Sequence, residues 1–571
     1  MNRAQASRRR LVELGRRRYG PAALCTAAAL AAAVLAAPAA AQDAPGAALE
    51  RAGHGAAPVP TLDWGPCGPQ LEAFLCATAA VPTDYDDPYG PKTTLALTKL
   101  PASGAPQQRL GTMFVNPGGP GGSGVDFVQL AAQLIYTPEL RQRYDVLGFD
   151  PRGVAQSDPA TCFATENEEL TSPLLQTSYP LPGPAEKQYI SDVRRAAQLC
   201  QAQSPERFSH ASTANVARDM DLLRRAVGDE RLTYTGYSYG TFLGATYARL
   251  FPDRVGRFVL DGTVDPVAWS GTGRGDAAPT TPLGIRVRQG VGASRTFAEF
   301  ARLCRDGGPQ NCSLAGLGDP AVVVPATFDR LAHEPVQITL PDGEVFEITQ
   351  QVAVDATFSA LYSPSEWPDL ADFLAALAAP VPSPAAVAAA VARTRSPLGA
   401  RARGEDYPSI GGALASLCVD TAPSRRVSEY PALIAAYDAK APYFGRARGW
   451  VGLPCEFWHL RDGDAFHGPW QQRTRAPVLV IGTRFDPATP YSQTRPYANL
   501  FPASRLLTLE GWGHTAILQS ACVDAAITRY LVAGSPPRDG AACAPDSVPF
   551  TAPAAALASR RPELPPEVPL G

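Results

Sequence analysis

The sequence predicts an α/β fold: a mostly parallel sheet flanked by helices, with an inserted, largely helical cap domain. Three observations predict it. Compact apolar and β-branched runs alternate with helix-patterned stretches up to residue 261, the signature of parallel strands joined by helical crossovers. That alternation fades between residues 265 and 475, where Ala-rich, Pro-punctuated stretches take over. It resumes at Pro477-Val478-Leu479-Val480-Ile481-Gly482, with one more strand and one more helix behind it.

Composition sets the bounds. With 45% hydrophobic and 18% charged residues the chain can bury a large core. A net charge of −3 gives no electrostatic case for nucleic-acid binding. Residues 1–41 carry the marks of a signal peptide: Arg8, Arg9, Arg10 and Arg16, Arg17, Arg18, an Ala/Leu run from Ala22 to Ala37, then Ala39-Ala40-Ala41 as a small-residue cleavage site. The run is too short for a permanent span, so no stable membrane anchor is expected. Ser7-Arg8-Arg9-Arg10-Leu11 also resembles a twin-arginine signal, so Sec and Tat export both fit. The expected location is therefore outside the cytoplasm, secreted or in the cell envelope.

Of eleven cysteines, Cys25 falls in that leader and ten remain, an even number that argues for disulfides in an exported chain. Each has a neighbour within its own segment, which predicts five sequential bridges: Cys67–Cys76, Cys162–Cys200, Cys304–Cys312, Cys418–Cys455 and Cys522–Cys543. No C-x-x-C, no H-E-x-x-H and no Gly-Lys-Ser/Thr phosphate loop occurs, so neither a metal nor a cofactor is expected.

Along the chain, residues 42–60 read as a disordered start and 61–264 as the first part of the sheet domain. Within it, Thr93–Leu100 alternates like a half-exposed strand, and Gly111–Val115 and Asp145–Phe149 read as buried ones. Five glycines and two prolines in Asn116–Gly124 suit a loop whose backbone N–H groups approach a substrate oxygen. Asp150-Pro151-Arg152-Gly153 reads as a loop locked by its own charged side chains, and Asn215–Val227 as a helix on the sheet. Residues 265–475 form the expected cap, with helices near Thr296–Cys304, Pro368–Leu377 and Ala385–Arg393. Residues 476–535 complete the sheet domain, and 536–571 are expected to be an irregular tail.

The chemistry centres on Leu232–Thr241, a strand running into Gly236-Tyr237-Ser238-Tyr239-Gly240 and then into a helix. A G-x-S-x-G turn in that context presents its serine on a sharp bend above the sheet edge, which makes Ser238 the candidate nucleophile. Its base must come from six histidines. His54 lies in the disordered start, His210 and His333 lack a strand-end setting, and His459 and His467 flank a polar loop. His514, in Glu510-Gly511-Trp512-Gly513-His514 after the last strand, has the required position. The acid should follow the preceding strand, which selects Asp486; Asp261 and Asp265, after the strand that follows the elbow, compete with it.

The Asn116–Gly124 loop, Asp150–Gly153, Gly236–Gly240, Leu260-Asp261-Gly262 and the Asp486/His514 pair together resemble exported bacterial tripeptidyl aminopeptidases, serine peptidases of the α/β-hydrolase fold related to the prolyl aminopeptidases. The resemblance covers most of the mature chain. It implies a triad of Ser238, Asp486 and His514, with Tyr239 and Gly119 as oxyanion donors. Val154-Ala155-Gln156-Ser157 departs from the pattern, lacking the glycine expected near Ala155. It also implies peptide substrates with free N-termini, whose ammonium calls for a cap carboxylate. Glu366, Asp369, Asp420 and Glu456 are candidates, and Asp420 and Glu456 are preferred because they adjoin Cys418 and Cys455. An esterase or lipase with the same triad, and a catalytically inactive binding protein on the same fold, are the competing readings.

Overall fold

The computed structural model describes residues 57–172, 178–339, 343, 345–391 and 410–551. Twelve strands are present among these residues: β1 (Gly65–Pro66), β2 (Leu75–Pro82), β3 (Lys92–Leu100), β4 (Gly111–Asn116), β5 (Tyr144–Phe149), β6 (Leu232–Tyr237), β7 (Val255–Asp261), β8 (Val336–Thr339), β9 (Val345–Ile348), β10 (Val478–Phe485), β11 (Arg505–Trp512) and β12 (Ala541–Cys543). Ten of them make one sheet in the order β1-β2-β3-β5-β4-β6-β7-β10-β11-β12. The pairs β1–β2, β2–β3 and β3–β5 are antiparallel; from β5 to β12 every pairing is parallel.

The central strands are apolar on both faces because helices cover both. Period-2 alternation divides their side chains between two cores. Phe114, Leu147 and Tyr234 face a layer holding the helices Thr213–Ala226 and Tyr239–Leu250. Met113, Val115 and Val146 face the helices Gly124–Ile135 and Ala521–Ala533. Strand β3 is more buried than its alternation predicts, since it lies inside the sheet and the Gly124–Ile135 helix crosses it. Thr98 is fully buried and its hydroxyl accepts from Gln129 Nε2 at 3.2 Å.

Between β7 and β10 the described chain is mainly helical. Helices Gln289–Gly307, Trp367–Ala378 and Pro384–Val391 contain or overlap the three runs expected from sequence. The hairpin β8–β9 was not anticipated; Val336 and Ile338 point inward while Gln337 and Thr339 are exposed, a pattern only four residues long. This insertion shares the core of the sheet: Phe242, behind the elbow, packs on Trp269 and Trp470 at ring separations of 5.9 and 5.3 Å.

Two terminal expectations need correction. Residues 57–60 are part of the described body, with Ala57 buried, and only residues up to 56 of the expected disordered start, with the leader, lie outside the described residues. The C-terminal segment is not wholly irregular, because β12 adds a parallel strand beside β11. Gly540 N–H donates to Leu506 O, Asp539 accepts from Leu506 N–H, and a Cys522–Cys543 bridge ties the strand to the last helix. Three residues held mainly by such tethers leave no periodicity to read. Residues 552–571 of the expected tail lie outside the described residues.

Candidate active site

Ser238 sits between β6 and the helix Tyr239–Leu250 with φ 55° and ψ −125°, a backbone region that costs a side-chain-bearing residue strain. The turn is held by three hydrogen bonds. Ser238 N–H donates to Asp261 O at 2.9 Å, and Thr241 returns both its N–H and its hydroxyl to Ser238 O at 2.8 and 2.6 Å. Gly236 and Gly240 are required by space: a Cβ on either would stand 2.5 Å from Gly240 O or 2.8 Å from Asn116 O.

The Asn116–Gly124 loop lies directly over the elbow. Gly118, at φ +108°, would place a Cβ 2.8 Å from Ser238 Cβ and 3.0 Å from Tyr239 N, so loop and helix N-terminus meet at the serine. Asn116 Oδ1 accepts from Gly118 N–H, fixing the bend, and the Gly119–Pro120 peptide is cis. Gly119 and Tyr239, the two predicted oxyanion donors, thus belong to segments in contact beside Ser238. The loop is braced by Asp150, whose carboxylate accepts from the Ser123 hydroxyl, Val125 N–H and Gln156 N–H at 2.6, 3.1 and 3.0 Å. Arg152 is buried against Asp219, with further bonds to Pro82, Thr83 and His210 carbonyls. At Ala155, where a glycine was expected, the backbone does adopt φ 42°.

Asp486 and His514 meet at the ends of β10 and β11. His514 Nδ1 lies 3.0 and 2.9 Å from the two Asp486 oxygens, and both side chains are almost fully buried. Asp486 also accepts from the N–H groups of Ala488 and Thr489 at 2.8 and 2.7 Å, and from the Thr489 hydroxyl at 2.9 Å. A carboxylate held by so many donors stays in one orientation and fixes the imidazole tautomer. Strand β7, between the serine and histidine sides, joins them. Its Asp261 carbonyl takes Ser238 N–H, its Oδ2 takes Ala516 N–H at 2.8 Å, and Gly262 would place a Cβ 3.2 Å from His514 Cε1.

The competing acids have other partners. Asp261 engages the backbone just beyond His514, and burial, with the nearby Asp486 charge adding, pushes its carboxyl up to about 7. Asp265 caps the helix Pro266–Ser270 through Val267 N–H, and burial raises it too.

The preferred ammonium binders, Asp420 and Glu456, already have protein partners. Asp420 is fully buried and accepts from Thr213 N–H at 3.1 Å and from the Thr213 hydroxyl at 2.5 Å; that hydroxyl also bonds the Tyr239 hydroxyl. Burial pushes Asp420 up to about 8, which disfavours its charged form in the absence of a cation. Glu456 spends its oxygens on Ser424 N–H, Arg425 N–H and the Tyr430 hydroxyl at 2.8, 2.7 and 2.9 Å. The physical reason is proximity to the Cys418–Cys455 bridge, which places both acids at junctions where backbone donors need acceptors. Glu366 and Asp369 lie at the start of the helix Trp367–Ala378, a few residues beyond Tyr362, which packs on His514.

Sequence reasoning missed Thr489 and Tyr362. Thr489 carried a signal, a hydroxyl three residues after the acid in Asp486-Pro487-Ala488-Thr489; Tyr362, from the insertion, carried none. All five expected disulfides form. Among the described residues no group of three or more His, Cys, Asp or Glu is placed to hold a metal, and no helix is long and apolar enough to cross a membrane.

A serine on a strained strand-to-helix turn, with a buried Asp–His pair on the following strands, defines the class: a serine hydrolase of the α/β-hydrolase fold. Sequence models agree, the alpha/beta hydrolase fold model matching residues 111–283 and the TAP-like protein model residues 441–543. Serine protease Hip1 of Mycobacterium tuberculosis is 33% identical over 512 residues, covering 84% of this chain and 91% of its own. Tripeptidyl aminopeptidase of Streptomyces coelicolor is 28% identical over 510 residues, covering 86% and 87%. Carboxylesterase B of Mycobacterium tuberculosis is 32% identical over 522 residues, covering 87% and 94%. The chain belongs to the tripeptidyl-aminopeptidase-like family of α/β hydrolases.

Proposed function

We propose that this serine hydrolase is an exported exopeptidase that releases short peptides, tripeptides above all, from free N-termini. Ser238 Oγ attacks the scissile carbonyl while His514 takes its proton, and Asp486 holds the imidazole and stabilises its charged form. Gly119 and Tyr239 N–H groups receive the oxyanion. His514 then protonates the leaving amine, and water, activated by the same histidine, releases the acyl group from Ser238. The observation that carries the reading is the buried Asp486–His514 pair beside the strained Ser238 turn. The names of the relatives support peptide substrates, and the five disulfides support export. Among the cap carboxylates, Glu366 and Asp369 lie a few residues beyond Tyr362, which packs on His514, and are the proposed partners of the ammonium.

The test is digestion of a defined peptide mixture, each peptide offered with a free and an acetylated N-terminus, with products read by mass spectrometry. Tripeptides released from the free forms alone are expected; equal cleavage of the acetylated forms overturns the exopeptidase reading. The relative named Carboxylesterase B supports a second reading, an esterase with the same triad. Turnover of p-nitrophenyl esters without any peptide cleavage would favour it.

A further inference from the structure

We propose that Tyr362, in the insertion, is a positioning residue for the base: its carbonyl anchors the His514 backbone and its ring packs on the imidazole so as to favour the protonated form. The inference rests on the reading of His514 as the base. His514 N–H donates not to the sheet but to Tyr362 O, at 2.8 Å. The two rings meet edge to face, centroids 4.9 Å apart and planes inclined by 67°. Gly513 shows how closely the segments approach: at φ +89°, a Cβ there would fall 2.5 Å from Tyr362 O and 2.7 Å from Pro364 Cδ. The glycine in Trp512-Gly513-His514 is thus the place where the insertion reaches the base. Tyr362 is held in turn by Phe358, ring to ring at 5.3 Å, at the end of the helix Gln350–Ala360.

Seen from the imidazole, Asp486 grips one edge, Asp261 lies on the β7 side, and Tyr362 closes the insertion side. Arg448 lies 4.5 Å over the ring of Phe358, which itself packs on Tyr362. An aromatic ring on an imidazolium favours the charged form, because its π electrons attract the cation. The step it serves is delivery of a proton to the leaving amine, for which His514 must first hold that proton. Holding the backbone through one contact and the ring through another couples the base to the position of the insertion.

The experiment separates the ring from the carbonyl, since side-chain substitution keeps the latter. Tyr362→Leu and Tyr362→Met should each lower the acid-limb pKa of kcat/KM by about 0.5–1 unit and reduce kcat about 3–10-fold, the size expected of one cation–π contact. Tyr362→Phe should restore both, to within about 0.2 unit of the wild-type limb, because the ring remains. Folded Leu and Met variants with an unshifted or raised acid limb would overturn the proposal, since a merely structural role lowers stability without moving that pKa. His514→Ala, run in parallel, tells the two readings apart: activity in that variant removes the base assignment itself. A measurement on the unsubstituted protein covers the case in which the variants do not fold. With ¹³C-labelled histidine, the His514 ring resonance, assigned by its absence in His514→Gln, should show a ring-current displacement. Its absence overturns the proposal.

Discussion

The two halves of the site are built differently. The serine side is nearly self-contained: β6, its turn and the first helical turn after it set Ser238, and one glycine loop closes over them. The histidine side is assembled from three distant stretches, with Asp486 after β10, His514 after β11 and Tyr362 from the insertion. Both store strain, at Ser238 with φ 55° and at Thr515 with φ 63°. They differ in what resists it. At Ser238 the hydrogen bonds back to the turn come from Thr241, three residues on, whereas Thr515 takes its bonds from Thr483 and Gln519 and gives its N–H to Asp486. The candidate nucleophile's geometry is thus set largely by ten consecutive residues, with one bond to the Asp261 carbonyl of β7, while that of the candidate base depends on three distant segments.

The sharpest way to break that comparison is to remove the reacting groups. Ser238→Ala and His514→Ala should each cost on the order of 10⁶ in kcat, because the two act as a unit. Asp486→Asn should cost about 10⁴, having lost the acceptor that selects the tautomer. Asp261→Asn keeps an acceptor for Ala516 N–H and should cost far less than Asp486→Asn. Steady-state kinetics on one peptide substrate decides it. A nearly silent Asp486→Asn with a dead Asp261→Asn would move the acid to β7.

A second pair of variants strikes each side at its closest approach. Gly118→Ala drives a methyl to within 2.8 Å of Ser238 Cβ and 2.6 Å of Tyr237 O, neither of which can yield without moving the nucleophile. Its kcat should fall about 10²-fold, the cost of misplacing a reacting atom by about an ångström. Gly513→Ala meets Tyr362 O and Pro364 at similar distances, but these belong to the insertion. Its loss should be nearer 10-fold, on the same scale. Rates of fluorophosphonate labelling give the two directly. If Gly513→Ala proved the more damaging, the insertion would matter to the base more than the loop does to the nucleophile.

The same contrast decides what was legible in the sequence. The elbow could be read because its information is local: strand, two glycines, serine and helix follow one another. Asp486 and His514 could be read because each falls at a strand end in an order the fold imposes. The disulfides could be read because each bridge closes within one segment. Tyr362 could not, since nothing in Leu361-Tyr362-Ser363 announces a contact with a loop some 150 residues away. The partners of Asp420 and Glu456 were illegible for a related reason. A carboxylate beside a disulfide looks the same in sequence whether it faces substrate or backbone and hydroxyl donors of the protein. β12 escaped notice because three residues cannot display a period.

Asp420 also allows the self-sufficiency of the serine side to be tested. It belongs to the insertion, yet through Thr213 it reaches the hydroxyl of Tyr239, the residue after the nucleophile. Facing it are Thr213, the Asp462 charge and His467, whose ring bonds the Asp420 carbonyl. Burial raises its pKa to about 8 from an ordinary value near 3.8. The unfolded chain therefore releases this proton at low pH while the folded protein keeps it. The stabilisation is fully present below about pH 4, is lost progressively as pH rises towards 8, and then levels off. Asp420→Asn removes that titration and retains an acceptor for Thr213 N–H. Asp261, pushed up to about 7, has the same sign and leaves part of the slope in both proteins. Urea unfolding at pH 5 and pH 8.5 should show the wild type losing at least about 1 kcal/mol more than Asp420→Asn over that interval, the equivalent of less than one pKa unit. Identical losses would mean that Asp420 is ionised in the folded protein, and the insertion would then hold Tyr239 through a charge.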